Sequence, residues 1–175
     1  MPESVKLISR VVIKGQIEDV WREITKTDEP QLAMFGAQMH RAGLAPGSPI
    51  RMRTPDGKYT SVVGEILEVN APYRLSHTMR FTAYDEPYCR VTYDLKEVDE
   101  GVEFTLTSED VVSGTKTSKD MARGGDFIVG TLKQVIEQGR PRLMTRLLYV
   151  VFGLIGPMMT PKQCKTENWP LEEGN

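Results

Sequence analysis

Hydrophobic residues recur with two different periods along this sequence of 175 residues. Valine and isoleucine are frequent over residues 5–14, which predicts a first strand with one face on the core. After Gly15, apolar residues recur at helical spacing and predict a short amphipathic helix. A second short helix is predicted over residues 29–39, where an apolar surface continues after Asp28. The residues of the first helical stripe are Ile17, Val20, Trp21 and Ile24.

Strict alternation of apolar and polar residues begins near residue 50 and predicts a run of antiparallel strands. Turn sequences separate these strands, namely Pro-Asp-Gly at 55–57, Asn-Ala-Pro at 70–72 and Asp-Glu-Gly at 99–101. Because each strand has one apolar and one polar side, we expect a sheet with one face on the core. The predicted strands are residues 50–53, 59–69, 75–81, 89–96 and 102–106.

Helical spacing returns after Gly114 and predicts a long helix that covers the sheet and ends at Gly139. Pro141 begins one further predicted helix, which stops at Gly156 and Pro157. The predicted fold class is α+β, with a curved antiparallel sheet wrapped around a long C-terminal helix and two short helices after the first strand. We expect a domain of residues 1–140 and a helical extension of residues 141–175 that packs on this domain or on a partner.

Three segments carry a resemblance to a known family. They are VWREIT around Trp21, VVGEILEVNAPYRLSHT at 62–78 and GTLKQVIEQG at 130–139. Together with the order of elements, they resemble the activators of heat-shock protein 90 ATPase homologues, within the START-related superfamily (SRPBCC, helix-grip fold). The resemblance covers roughly residues 5–139. In the second segment a glycine-containing strand leads to an EV-x-x-P-x-R-L turn, formed here by Glu68, Val69, Pro72, Arg74 and Leu75.

Two features depart from this family. Many relatives carry a tryptophan where the closing helix begins, and this chain has none there, which favours a wider cavity mouth. The tail beyond Gly139 is a second departure, because a minimal member of the family does not need it. The residues at the first position are Gly124, Gly125, Asp126 and Phe127.

A curved sheet wrapped around a helix leaves a space between them, and concave apolar spaces with few polar groups are common ligand sites. Nine methionines in the chain suit a lining that adapts to varied apolar shapes. The alternative for each side chain is ordinary core packing. The predicted ligand-binding residues are Met34, Phe35, Met39, Met52, His77, Met79, Phe81, Tyr93, Leu106, Phe127, Ile128 and Leu132.

His77 is the one imidazole predicted to point inward, in a row with Leu75, Met79 and Phe81. A buried imidazole could orient a carbonyl or carboxylate of a ligand, and its near-neutral intrinsic pKa permits acid–base work. The alternative is a structural histidine bonded to a neighbour. Tyr93 carries the same two interpretations, because its hydroxyl points either at a ligand or at a packing partner.

Several other chemistries lack support in the sequence. No GxSxG nucleophile elbow, HExxH metal motif or GxxxxGK[ST] phosphate loop is present, so we expect no catalytic nucleophile, metal or other cofactor. A net charge of −2 offers no strong positive field for a nucleic acid. Cys89 and Cys164 lie far apart without metal spacing, and the polar start lacks a signal-peptide pattern, which predicts a reducing cytoplasm.

An apolar run of thirteen uncharged residues occupies positions 147–159. It is shorter than the roughly 20 residues that a membrane span needs, and glycines and a proline interrupt it, so no transmembrane segment is predicted. Three interpretations stay open for this extension: an interfacial membrane helix after Arg140, Arg142 and Arg146, packing on its own domain, or packing on a second copy in a homodimer.

The leading functional hypothesis is therefore the binding of a small hydrophobic molecule, such as a lipid, a polyketide or an aromatic compound, in the apolar cavity. Two alternatives follow from the resemblance. One is a co-chaperone that binds and activates a heat-shock ATPase. The other is an enzyme similar to polyketide cyclases, in which His77 and Tyr93 guide proton transfer.

Overall fold

One curved antiparallel sheet forms the main layer of the protein in the computed structural model, which describes residues 2–171. Within these residues the sheet has seven strands in the order β1-β7-β6-β5-β4-β3-β2. Successive strands pair with their neighbours, except that β1 closes the far side against β7. The strands are β1 Ser4–Ile13, β2 Gln38–Arg41, β3 Pro49–Arg53, β4 Thr60–Asn70, β5 Arg74–Phe81, β6 Cys89–Val98 and β7 Gly101–Val112.

Three α-helices accompany the sheet in the described part of the chain, and their bounds are α1 Ile17–Thr25, α2 Lys116–Gln138 and α3 Leu143–Met159. Helix α2 packs mainly against β1 and β7. Its start is capped by Thr115, whose hydroxyl accepts a hydrogen bond from the Ser118 amide at 3.1 Å. Its end is capped by Gly139 in the left-handed conformation at φ 75°. The predicted α+β helix-grip fold is confirmed.

The prediction of a second short helix over residues 29–39 is wrong. This segment forms a tight loop closed by backbone pairing between Gln31 and Ala37, and β2 follows directly. Phe35 and Gly36 adopt left-handed conformations at φ 56° and 72°, which a continuous helix does not allow. The apolar spacing that suggested a helix belongs instead to a loop, in which Ala33 is buried and Met34 packs against the core while Phe35 is exposed.

The end of helix α3 also differs from the prediction, because the helix continues through Pro157 to Met159 instead of stopping there. Pro157 lies in the last turn, where it removes only one amide from the hydrogen-bond ladder. The following turn is intact, since the Thr160 amide donates to the Gly156 carbonyl at 2.8 Å.

The EV-x-x-P-x-R-L motif spans the turn between β4 and β5, and its arginine connects neighbouring strands. The Arg74 guanidinium donates to Glu68 at 3.0 Å and to Asp94 on β6 at 2.6 Å. One arginine therefore joins three neighbouring strands at this end of the sheet. These groups are substantially exposed, so each ion pair contributes little stability and mainly sets the register.

Strands β4 and β5 pack closely at Gly64, because a Cβ atom at this position would overlap the Thr78 carbonyl. We expect Gly64→Ala to lower the free energy of unfolding by about 2 kcal/mol or more. The matched control is Gly130→Ala in α2, where an added Cβ meets no atom within 4 Å. This control should raise stability by up to about 1 kcal/mol. Urea unfolding measures both, and equal effects would contradict the packing described here.

Candidate functional site

A cavity of about 530 Å³ lies between the concave face of the sheet, the 31–37 loop and helix α2. It forms where α2 leaves the concave face uncovered, because the helix packs mainly on β1 and β7. All predicted ligand-binding residues except two contribute to its wall. The residues concerned are Met34, Phe35, Met39, Met52, His77, Met79, Phe81, Tyr93, Leu106 and Ile128. That they bind a ligand stays a prediction.

Phe127 and Leu132 do not line the cavity. Leu132 is one helical turn beyond Ile128 and is wholly buried in the core. Phe127 is rotated away from Ile128 by about 100° around the helix axis, as successive helical residues are. Its ring stacks on Phe35 with centroids 4.7 Å apart, so it supports the loop wall from the side.

Several other residues of the cavity wall were not predicted from the sequence. Leu7 and Ser9 on β1 lie opposite Ser108 and Leu106 on β7 and face the cavity with them. The alternation along β1 could have revealed them, because Leu7 and Ser9 share a face with the core-packed Val5 and Val11. Gln31, Gly124 and Gly125 also line the cavity, but no periodic signal marks a loop residue or a helical glycine.

His77 and Tyr93 form a hydrogen-bonded pair in the wall of this largely apolar space, which Gln31, Asp120 and Asp126 also border. His77 is only 7% exposed, and its Nδ1 lies 2.8 Å from the Thr78 carbonyl oxygen. A carbonyl can only accept, so the imidazole proton sits on Nδ1 and Nε2 is left as an acceptor. The Tyr93 hydroxyl, 3.4 Å from Nε2, then donates to it.

Both groups of the pair are uncharged near neutral pH. Burial lowers the pKa of His77 below its usual 6.5, although the hydrogen bond to the Thr78 carbonyl opposes this shift. Burial also raises the pKa of the Tyr93 hydroxyl. By exchanging their mutual hydrogen bond, the two groups can offer a ligand one hydroxyl donor and one imidazole acceptor, and neither group is charged.

The remaining reactive groups near the cavity are unsuited to nucleophilic chemistry. Burial raises the pKa of the Cys89 thiol to about 11, so it stays protonated and unreactive. Asp120 accepts a hydrogen bond from the Tyr84 hydroxyl at 2.6 Å, and Asp126 accepts one from Ser9 at 2.8 Å. Within residues 2–171, no group of three or more His, Cys, Asp or Glu side chains is placed to hold a metal ion.

No single helix among the described residues is long and apolar enough to cross a membrane. One bent pair, Lys116–Gln138 with Leu143–Met159 at 115°, meets the length and composition requirements when the two helices are taken together.

The family model described as Activator of Hsp90 ATPase homolog 1-like protein matches residues 14–137. A search of curated proteins found no match. Solved structures share the fold at low identity. DynU16, a protein in the dynemicin biosynthetic locus, is 22% identical with a TM-score of 0.62 over 78% of this chain. The chain spans only 48% of the length of DynU16.

Two further structures align over most of their own lengths. CalU16 from Micromonospora echinospora is 17% identical, with a TM-score of 0.57 over 90% of this chain and 88% of that protein. The Aha1 dimer from Colwellia psychrerythraea is 16% identical, with a TM-score of 0.61 over 77% of this chain and 98% of that protein. At these identities the similarity establishes the fold alone.

The buried neutral state of His77 predicts how stability changes with pH. Since its pKa is lower in the folded chain than the usual 6.5, the unfolded chain gains a proton first as the pH falls. The contribution of neutral His77 to the free energy of unfolding is therefore present in full above about pH 6.5. Below that pH it is lost by up to about 1.4 kcal/mol per pH unit. His77→Gln should flatten the curve of unfolding free energy between about pH 7 and about pH 5.

His40 provides the control for this measurement, because burial also lowers its pKa while it lies outside the cavity. His40→Gln should leave the contribution of His77 in place. A His77→Gln curve as steep as that of the unsubstituted protein would show that His77 titrates normally in the folded chain.

Proposed function

We propose that this chain, which belongs to the family of Activator of Hsp90 ATPase homolog 1-like proteins, binds a small, uncharged hydrophobic molecule in the cavity between its sheet and helix α2. The observation that carries the proposal is the volume of about 530 Å³ with a largely apolar wall. Small-molecule sites in proteins have volumes of this order and few, well-placed polar groups.

The chemistry of the wall narrows the class of ligand. The lining residues, all within 2–171, include no lysine or arginine. A carboxylate inside the cavity would therefore lose its hydration without gaining a cation. The neutral pair of His77 and Tyr93 instead suits a ligand hydroxyl, which can donate to Nε2, or a ligand carbonyl, which can accept from the phenol. A lipid, a polyketide or an aromatic compound with one such group fits this description.

The methionines of the wall support a site that accepts related shapes. Met34, Met39, Met52, Met79 and Met121 all border the cavity. Thioether side chains have several rotatable bonds and polarizable sulfur, so they can repack around different apolar surfaces. We infer selectivity for a chemical class more than for one molecule.

An enzyme similar to polyketide cyclases is the second candidate, and the His77–Tyr93 pair is the observation that favours it. If a bound chain displaces the Tyr93 hydroxyl from Nε2, the neutral imidazole could accept a proton from that chain and the phenol could polarise its carbonyl. His77→Ala and Tyr93→Phe should then abolish turnover of a reactive polyketide-type substrate. Unchanged turnover would leave only binding.

The co-chaperone function rests on the family alone. If it applies, adding this protein to a purified heat-shock ATPase should change the rate of ATP hydrolysis. A homodimer through residues 141–175 and a cytoplasmic location also remain proposals. The Aha1 structure is described as a dimer, but that statement concerns the Colwellia psychrerythraea protein.

Filling the cavity tests the leading proposal. A Cβ atom at Gly124 lies 3.7 Å from the Phe35 ring, an ordinary contact, so a larger side chain can be introduced at the cavity wall. We expect Gly124→Trp to weaken binding of the uncharged dye N-phenyl-1-naphthylamine at least about tenfold, because the indole occupies the ligand space. Fluorescence titration measures this affinity.

The matched control is Gly130→Trp on the same helix, where an added Cβ meets nothing within 4 Å and the residue does not line the cavity. It should bind the dye as the unsubstituted protein does. Native mass spectrometry of protein from its own host should also show a bound small molecule. Equal dye affinity in both variants, or no binding by any form, would overturn the proposal.

A further inference from the structure

Helix α3 has an inverted distribution of polar and apolar residues. The positions that turn towards the protein are small or polar, and they are Thr145, Tyr149 and Gly156, with Thr160 directly after the helix. None of the helix is buried, and its large apolar side chains point away from the domain. Leu154 is 73% exposed and Met158 is 87% exposed. The other exposed apolar residues are Leu143, Met144, Leu147, Leu148, Val150, Val151, Phe152, Ile155 and Met159.

Specific contacts hold α3 in this orientation. The Tyr149 hydroxyl donates to the Leu32 carbonyl at 2.6 Å, and its ring packs over Gly36 in the wall loop. The Arg142 amide at the start of the helix donates to the Gln134 side chain at 3.0 Å. Near the other end, the Tyr59 hydroxyl approaches the Pro157 carbonyl at 3.4 Å. The apolar side is therefore turned outward by contacts on the opposite side.

The segment after α3 fixes the helix a second time. Lys165 pairs with Tyr59 through the backbone, and the Thr166 amide donates to the Lys58 carbonyl at 3.0 Å. The guanidinium of Arg53 donates to the Trp169 carbonyl at 3.1 Å. Because both ends are attached to the domain, α3 lies along the surface and cannot turn its apolar side inward without breaking these contacts.

Every charged residue in the segment that contains α3 is basic. Residues 139–166 contain five basic and no acidic side chains, although the whole chain has a net charge of −2. Within residues 2–171, the one salt bridge made by these basic residues joins Lys165 to Glu167 at 3.9 Å. The basic residues flank the apolar run on both sides and are Arg140, Arg142, Arg146, Lys162 and Lys165.

We propose that helix α3 is an interfacial helix that docks this protein on an anionic lipid bilayer. An apolar outward side satisfies the hydrocarbon boundary, and basic residues at both ends meet anionic headgroups. Seventeen residues extend about 26 Å, and the attachments at both ends keep that length parallel to the membrane surface. This inference concerns the outer surface and does not depend on a ligand in the cavity.

A second copy of the chain fits the same surface less well. Pairing α3 with α3 in either direction would bring basic ends together, because this segment has basic residues at both ends and no acidic residue between them. Like charges across an apolar contact oppose association. The positive charge that disfavours a dimer favours an anionic lipid surface.

Flotation of the full chain with lipid vesicles tests the proposal. We expect binding to vesicles of equimolar phosphatidylcholine and phosphatidylglycerol, weaker binding to phosphatidylcholine alone, and a decrease with added salt. Leu154→Ser with Met158→Ser should weaken binding at least about tenfold. Replacing Arg140, Arg142 and Arg146 with Gln should weaken it about fivefold for each residue and reduce the preference for anionic lipid.

The control double variant is Leu67→Ser with Tyr73→Ser, which removes exposed apolar side chains far from α3 in sequence and should bind vesicles normally. Leu154→Trp gives an independent measurement, since its fluorescence should shift to shorter wavelength on addition of anionic vesicles. Dye binding to the cavity without vesicles should be unchanged in the α3 variants, which separates this test from that of ligand binding.

Two outcomes would overturn the proposal. One is no flotation of the unsubstituted protein with anionic vesicles, or flotation that the α3 variants do not reduce. The other is a dimer by light scattering that Leu154→Ser with Met158→Ser converts to a monomer, because a second copy would then cover the helix.

Discussion

Incomplete coverage of the sheet by helix α2 is the constraint on which the rest of the structure depends. A seven-stranded curved sheet has a wider concave face than one helix can cover, and α2 packs mainly on the β1 and β7 side. The strands from β2 to β5 therefore close over a hollow that the 31–37 loop completes. Gly64, Gly124 and Gly125 border this hollow.

The same hollow determines the state of the polar groups inside it. In a low-dielectric space a charged imidazole or phenolate loses more hydration than its neighbours return, so His77 and Tyr93 stay neutral and bond to each other. This explains why one pair of residues supports both a binding function and a proton-transfer function. A neutral donor and acceptor can recognise a ligand, and the same atoms can move a proton if the ligand is reactive.

The exterior reverses the usual arrangement at α3. Most surface helices turn apolar residues inward, where burial stabilises them. In α3 the inward side makes hydrogen bonds and packs small residues against the domain, and the apolar side is exposed. Tyr149 joins the two regions, because it holds α3 against the loop that forms part of the cavity wall. Docking of α3 would thus position the cavity relative to the docking surface.

Periodicity in the sequence determined every described strand except β2, the three α-helices, and the inward parity of residues such as His77, Met79 and Tyr93. These features follow from local geometry, since alternation and helical phase are properties of a single segment. The segment motifs also identified the family correctly.

Tertiary structure decided what local patterns cannot express. Apolar spacing over residues 29–39 fits both a helix and a loop, and the pairing of Gln31 with Ala37 selected the loop. Whether Leu132 lines the cavity depends on where α2 meets the sheet. Helical periodicity gives the face on which a residue lies, but not the position of the helix on the sheet. The outward direction of α3 depends likewise on Tyr149 reaching the Leu32 carbonyl, a contact between residues that are 117 positions apart.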